Sequence, residues 1–393
     1  MAAKQNTKAA PAADKTDPPA EKTAPKKDWA RSLRRLGAVS EEHVDIHKSV
    51  IRTRSPSVNS TFGNGWGLPR GYSLLLGGPP KGGKSTTAND MIGACHADYP
   101  DGIVIKINTE FKENAEMTSE AFRKWGIDKA RYICYEMNEA TLFDFILDKI
   151  QPMVQDGMPL VLLVIDSVNN IQGRRAAGSD SIMDFLIGDQ AQTLQDGMMR
   201  IMPFLRRHNV ACILTCHVGA EMDRAEQMRG NTHRMKVAHG LKHRIEYWAF
   251  VEQVVTAAGK LDLRKQSYED PKGFVSPKGE KEHVDARAHR IKFTMKAASF
   301  APVGRIGEYT YNYSAGIVAQ EEEIFKLADL NKLLKQEGSF YNYGDKRWHG
   351  LPATLDAIRD DPKLQSAILL DLQRIDRDQK FEAGTLGEAL KEE

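Results

Sequence analysis

One stretch restricts the fold of this chain more than any other: Gly78-Pro79-Pro80-Lys81-Gly82-Gly83-Lys84-Ser85, set directly after the apolar run Tyr72-Ser73-Leu74-Leu75-Leu76. A glycine, four residues and then Gly-Lys-Ser is a pattern whose mechanics need a strand on one side and a helix on the other. An amphipathic segment near 85–97 supplies the helix. Small residues let the backbone wrap around a phosphate, so that several N–H groups and the positive end of the helix point at it. In such a cradle Lys84 brings a point charge to the β- and γ-phosphates and Ser85 offers a hydroxyl to Mg²⁺. Thr86 reaches the α-phosphate, while Pro79 and Pro80 stiffen the loop. A glycine turn with a chance lysine would account for the motif, but not for the strand and helix that flank it.

The region that follows repeats one grammar, short apolar runs separated by longer helical stretches. Ile103–Ile107, Leu160–Ile165 and Val210–Cys216 are apolar on both faces, as expected of central strands in a parallel sheet covered by helices. Helices are expected near 117–125, 139–154 and 190–207. This alternation implies an α/β core with right-handed crossovers and a ligand site at the carboxyl ends of its strands. After residue 245 the runs Tyr247–Val255, Arg290–Thr294 and Glu308–Tyr313 read as further strands of the same sheet. Residues 259–288, with Pro271, Gly273, Pro277 and Gly279, read as a long exposed insertion. Helices near 321–335, 352–359 and 362–374 make a small C-terminal unit.

Three further residues stand at the active edge of such a sheet. Leu160-Val161-Leu162-Leu163-Val164-Ile165-Asp166-Ser167 delivers a carboxylate at a strand end, where Asp166 can hold Mg²⁺ through a coordinated water. Without the glycine loop it would read as a turn or a helix cap. Glu110, in Lys106-Ile107-Asn108-Thr109-Glu110, is a candidate base for a water attacking a γ-phosphate, against the plainer reading of a solvated loop carboxylate. His217 ends its strand where it could sense the γ-phosphate, or simply bond to backbone. Cys212, Cys216 and His217 do not make a convincing metal site, because their neighbours are apolar and no second ligand pair is near. Two Gly-containing basic loops leave the same edge: Gln172–Ser181, with Arg174 and Arg175, and Gly219–Lys242, with Arg224, Arg229, Arg234, Lys236 and Lys242. Flexible cations of this kind suit a nucleic-acid backbone, although most charged loops are merely solvated.

Composition sets the outer limits. Hydrophobic residues make up 41% and charged residues 27% of the 393 positions, and no apolar run approaches the ~20 residues of a membrane span. Four cysteines form no disulfide framework, and a reducing, cytoplasmic setting fits. The net charge of +2 hides an uneven distribution. Residues 1–27 form a basic arm too polar to repay ordering, and residues 28–48 hold a short helix with Trp29, Leu33 and Leu36 on one face. Residues 376–393 form an acidic tail. Either end could do no more than solvate the chain, or could tune binding to a polyanion.

In this order the elements resemble the RecA family of recombinases, and they are most similar to its phage UvsX-like branch. Besides the Walker A motif at 78–85, the resemblance rests on Gly67-Leu68-Pro69-Arg70-Gly71, Val164-Ile165-Asp166-Ser167-Val168 and Lys292–Lys296. It extends to the run from Gly338 to Lys346 and to Asp361-Pro362, and covers roughly 45–375. It implies a RecA-like P-loop NTPase core with a mostly parallel central sheet over 49–320, a short N-terminal helix docking on the next protomer, and a small C-terminal α/β domain over 321–375. It also implies ATP and Mg²⁺ as cofactors, helical filaments on single-stranded DNA, pairing with double-stranded DNA, and partners such as a single-strand-binding protein or mediator. Glu110 takes the place of the catalytic glutamate, 172–192 and 219–242 those of the DNA-binding loops, and Lys296 that of a basic residue reaching a neighbour's γ-phosphate. His217 departs from the glutamine of bacterial members and is closer to the phage branch. A hexameric helicase or motor on the same fold, and a DNA-coating protein without hydrolysis, are the competing readings.

Overall fold

A computed structural model describes residues 49–389 apart from 64, 113–118, 120–121, 175–187, 221–223, 225–227, 229–232, 236, 238–240, 242–243 and 255–287. The expected basic arm, the helix at 28–48 and nearly all of the 259–288 insertion lie outside these residues, as do Arg175, Arg229 and Lys236. Everything described belongs to one compact unit, Ile46–Glu393.

Among the described residues ten strands share one sheet. Its parallel part runs β5 (Tyr132–Glu136), β4 (Ile103–Asn108), β6 (Leu160–Asp166), β7 (Ala211–Ala220), β3 (Ser73–Gly78) and β9 (Tyr247–Gln253). Antiparallel strands β10 (Ala288–Ala298), β11 (Ile306–Asn312) and β12 (Gly316–Val318) continue it, and β8 (His233–Met235) folds back on the end of β7. The short pair β1 (Val50–Ile51) and β2 (Leu68–Pro69) forms a separate ribbon. The fold is mixed α/β with a large, mostly parallel central sheet, as expected.

Strand alternation explains why the central runs are apolar on both faces. Leu74 and Leu76 of β3 enter one core cluster with Met91 and Ile92 of the helix that follows the glycine loop. Leu75 faces the opposite cluster, against Phe143, Leu194, Met198 and Ile201. The helices on the two faces are α1 (Pro56–Ser60), α2 (Lys84–Asp98), α3 (Leu142–Phe145) with a π-helical turn (Ile146–Ile150) leading into α4 (Gln151–Gln155), and α5 (Asp189–Arg207). β5 was not expected from the sequence. It is an edge strand whose side chains are half-buried or exposed, so it lacks the continuous apolar run of its neighbours.

C-terminal to the sheet, α6 (Gln320–Leu330) is followed by a three-stranded antiparallel sheet of β13 (Lys335–Glu337), β14 (Phe340–Tyr343) and β15 (Lys346–His349). The helices α7 (Gly350–Asp360) and α8 (Pro362–Ala389) complete the region. The expected helix 321–335 ends early, and the left-handed backbone at Lys332 (φ 57°) turns the chain into β13. The last helix continues well past 374, without a break where the acidic tail was expected to start. Ile324, Ala328, Leu334, Ile358, Leu364, Ile368 and Leu372 pack together with Trp66. Among the described residues no helix is long and apolar enough to cross a membrane.

Candidate active site

Parallel pairing brings the carboxyl ends of β3, β7, β6 and β4 side by side, with Gly78 level with His217 and Asn108 level with Asp166. Four residues singled out in the sequence thereby converge: Lys84, Asp166, Glu110 and His217.

The loop has little room for anything but glycine. A Cβ on Gly78 would sit 2.1 Å from the carbonyl oxygen of Val251 on β9, and one on Gly82 would sit 2.8 Å from the same atom. Gly83 has φ 107° and precedes α2 without a side-chain cap, so the helix presents its positive end to the loop. Lys84 folds back, its Nζ donating to the carbonyls of Gly78 and Pro79 at 2.9 Å each. Burial lowers its pKa, opposed by the acidic groups beside it, Cys216, Asp166 and Glu110. Pro80, Lys81 and Ser85 are exposed and Thr86 is half-buried. A tight backbone curl, an uncapped helix end and a lysine beside them fit a polyphosphate.

Asp166 is buried at the end of β6, where Thr215 of β7 donates to its Oδ1 at 2.5 Å and Lys106 Nζ lies 3.7 Å from its Oδ2. Next to it, Thr109 Oγ1 donates to the Ser167 carbonyl (2.6 Å) and accepts from the Ser167 N–H (2.8 Å), locking the turns after β4 and β6 together. Beyond that lock, Glu110 Oε1 lies 3.1 Å from His217 Nε2, and Lys112 Nζ donates to Glu110 Oε2 at 2.5 Å. Burial pushes the Glu110 carboxyl up, but the hydrogen bond from Lys112, then that from Ser167, the charge of Lys112 and the nearby His217 ring outweigh it, and the net shift is downward. Glu110 is therefore an ionised acceptor at neutral pH. The His217 backbone N–H donates to Asn169 Oδ1 (2.6 Å), which fixes the strand end that carries the imidazole.

The remaining expected residues are dispersed. Lys296 is exposed at a bulge of β10, its Nζ 6.0 Å from the centre of the Phe250 ring. The register sets it beside Trp248 and Ala249, toward the start of β9 and away from Gly78. Arg174 is exposed, its backbone N–H bonded to Thr193 Oγ1, and Arg224 is exposed as well. Arg234 lies on β8, paired with Gly219. Cys212 and Cys216 are buried in β7. The sequence reading missed Lys106, Lys112, Asn169 and Thr215. Only Lys106 left a signal, a cation inside an otherwise apolar run.

No family model matches the chain. Comparison with curated proteins finds the protein RecA of Deinococcus radiodurans, 26% identical over 339 residues that cover 86% of this chain and 82% of that protein. The protein RecA of Bacteroides thetaiotaomicron is 25% identical over 335 residues, 85% of this chain and 88% of its own length. That of Wolinella succinogenes is 22% identical over 316 residues, covering 80% and 78%. The chain is similar to RecA proteins over most of its length. The central sheet and the site at its carboxyl edge lie within this RecA-like stretch.

Proposed function

We propose that this chain is an ATP-dependent DNA recombinase. It forms filaments on single-stranded DNA, pairs them with homologous double-stranded DNA and hydrolyses ATP in a DNA-stimulated reaction. The observation that carries this reading is the convergence of Lys84, Asp166, Glu110 and His217 on one sheet edge, in a chain similar to RecA proteins from end to end of its core. His217, where bacterial members have glutamine, supports the phage UvsX-like branch.

Bound ATP supplies the phosphoanhydride, and Mg²⁺ offsets the charge that develops on its oxygens. Lys84 exchanges the carbonyls of Gly78 and Pro79 for phosphate oxygens, while the loop N–H groups and the start of α2 hold the chain of phosphates. Ser85 and Asp166 are the residues that would hold Mg²⁺ beside the phosphates. Glu110, kept ionised by Lys112 and His217, accepts a hydrogen bond from the attacking water and orients it. His217 links this water site to β7, whose last residues pair with β8 in the basic loop 219–242. Arg174, Arg175, Arg224, Arg229, Arg234 and Lys236 meet the DNA backbone, and Lys296 serves the site of the adjoining protomer, where its distance from Gly78 in its own chain ceases to matter. The N-terminal helix docks on that neighbour and keeps the filament open-ended.

Lys84→Ala tests the reading. It should abolish ATP-dependent binding to single-stranded DNA, and normal binding by the variant would refute the account. Electron microscopy with ATP and single-stranded DNA should show continuous filaments. Uniform closed rings would favour a helicase or motor, and the lack of any DNA-stimulated ATPase would favour a coating protein.

A further inference from the structure

Lys106 is a cation in the middle of a sheet. It occupies β4 between Val164 of β6 and Cys134 of β5, is 3% exposed, and shares a face of the sheet with Val104 and Asn108. Asn108 is level with Asp166, so Lys106 stands one pleat below that carboxylate on the adjacent strand, within diagonal reach. Its Nζ lies 3.7 Å from Asp166 Oδ2, while Thr215 occupies Oδ1. Taking an ammonium out of water costs several kcal/mol, and in a strand of valine and isoleucine a further aliphatic side chain would incur no such cost. The placement of Lys106 is therefore tied to the carboxylate beside it.

We propose that Lys106 is a positioning residue that holds the Asp166 carboxylate and, by its positive charge, sets how much divalent cation the nucleotide site requires. Asp166 is buried, and among the described residues Lys106 is the cation within 4 Å of its carboxylate, Lys84 acting on it as well. The charge of Lys106 is permanent. The same charge reduces the negative potential that an incoming Mg²⁺ meets, since both cations act on one carboxylate at short range. Thr215 holds the other oxygen with a neutral hydroxyl and fixes its direction without this opposition. The site thus tolerates being without metal, and it fills only at a higher concentration of the ion.

The inference rests on the reading of this site as an ATP–Mg²⁺ site, and the test separates the two. Binding of a fluorescent, non-hydrolysable ATP analogue to the full chain is titrated with Mg²⁺ for the wild type, Lys106→Met and Thr215→Val. Lys106→Met should lower the half-saturating Mg²⁺ concentration on the order of tenfold. Thr215→Val, which removes the other Asp166 partner without changing charge, should move it by less than about threefold. An unchanged midpoint in Lys106→Met, or an equal shift in both variants, overturns the proposal, because a purely structural lysine would alter melting temperature and leave the midpoint in place. Lys106→Gln removes the charge but keeps a polar tip for Asp166, and carries the same expectation if the methionine variant does not fold. Failure of the wild type to bind the analogue in a Mg²⁺-dependent way would instead overturn the nucleotide reading itself.

Discussion

Glu323 sits in the first turn of α6 and is almost completely enclosed, although a carboxylate is among the costlier groups to bury. Its Oε2 accepts from Ser55 Oγ at 2.5 Å and from the Ser57 N–H at 3.1 Å, so it holds the start of α1, while Oε1 has no hydrogen-bond partner among the described residues. Burial pushes its pKa up to about 8. The hydrogen bonds from Ser55 and Ser57 and the charge of Lys326 oppose the shift, and Asp90 on α2 adds to it. An unfolded glutamate titrates near 4.3. Between these values the folded protein keeps a proton that the unfolded chain has released, so stability is greatest below the ordinary carboxylate range, falls as pH rises, and levels off above about 8. At about 1.4 kcal/mol per pH unit the window is worth on the order of a few kcal/mol. Glu323→Gln cannot ionise, and its amide oxygen can accept from both Ser55 and Ser57. Denaturant unfolding at intervals from pH 5 to pH 9 should therefore show the variant gaining on the wild type up to about pH 8 and running parallel above it. Asp90 is also raised by burial, against the pull of Arg54, and is present in both proteins. Parallel curves over the whole range would refute the assignment.

Other substitutions probe the site and its frame. Gly78→Ala forces a Cβ against the carbonyl of Val251, a backbone group held in the sheet that cannot swing aside as a flexible side chain would. It should cost about 1–3 kcal/mol in denaturant unfolding and abolish nucleotide binding, and a variant that binds normally would show the curl to be dispensable. Glu110→Gln should keep nucleotide affinity and lose turnover by roughly 10²–10⁴, measured as DNA-stimulated phosphate release. Retained turnover would remove Glu110 from the catalytic role. Arg305 donates to the buried Asp376 of α8 at 2.5 Å and to the Ser60 carbonyl of α1 at 2.8 Å. Arg305→Met should cost about 3 kcal/mol in denaturant unfolding by stranding that carboxylate, and a loss below about 1 kcal/mol would argue against the pin.

What could be read in advance depended on how strongly local sequence obliges a structure. β3, β6 and β7 are continuous apolar runs with no alternative to burial on both faces, and the strand-loop-helix junction at Gly78–Ser85 follows from steric limits that only small residues satisfy. β5 escaped notice because an edge strand needs no apolar face, and β13 because the register of a small antiparallel sheet depends on partners farther along the chain. The site divided in the same way. Asp166 and Glu110 announced themselves as carboxylates at strand ends. Thr215 and Asn169 are ordinary residues until register brings them to Asp166 Oδ1 and the His217 N–H.

On the proposed function, the register would let one strand serve two ends of the chemistry. His217 lies level with Gly78, and the next residues of β7, Val218 to Ala220, pair with Met235 to His233 of β8. The imidazole beside Glu110 and the clasp of the basic loop are thus separated by a single residue step, with no flexible joint between them. The backbone there is held from the opposite side by Asn169, whose segment leads through Ile171 and Gln172 to Arg174 in the other basic loop. A displacement of His217 by the terminal phosphate would therefore bear on both loops through covalent continuity and one hydrogen bond. By reciprocity, a polyanion that fixes those loops would hold His217 in place and favour nucleotide binding by the same free energy.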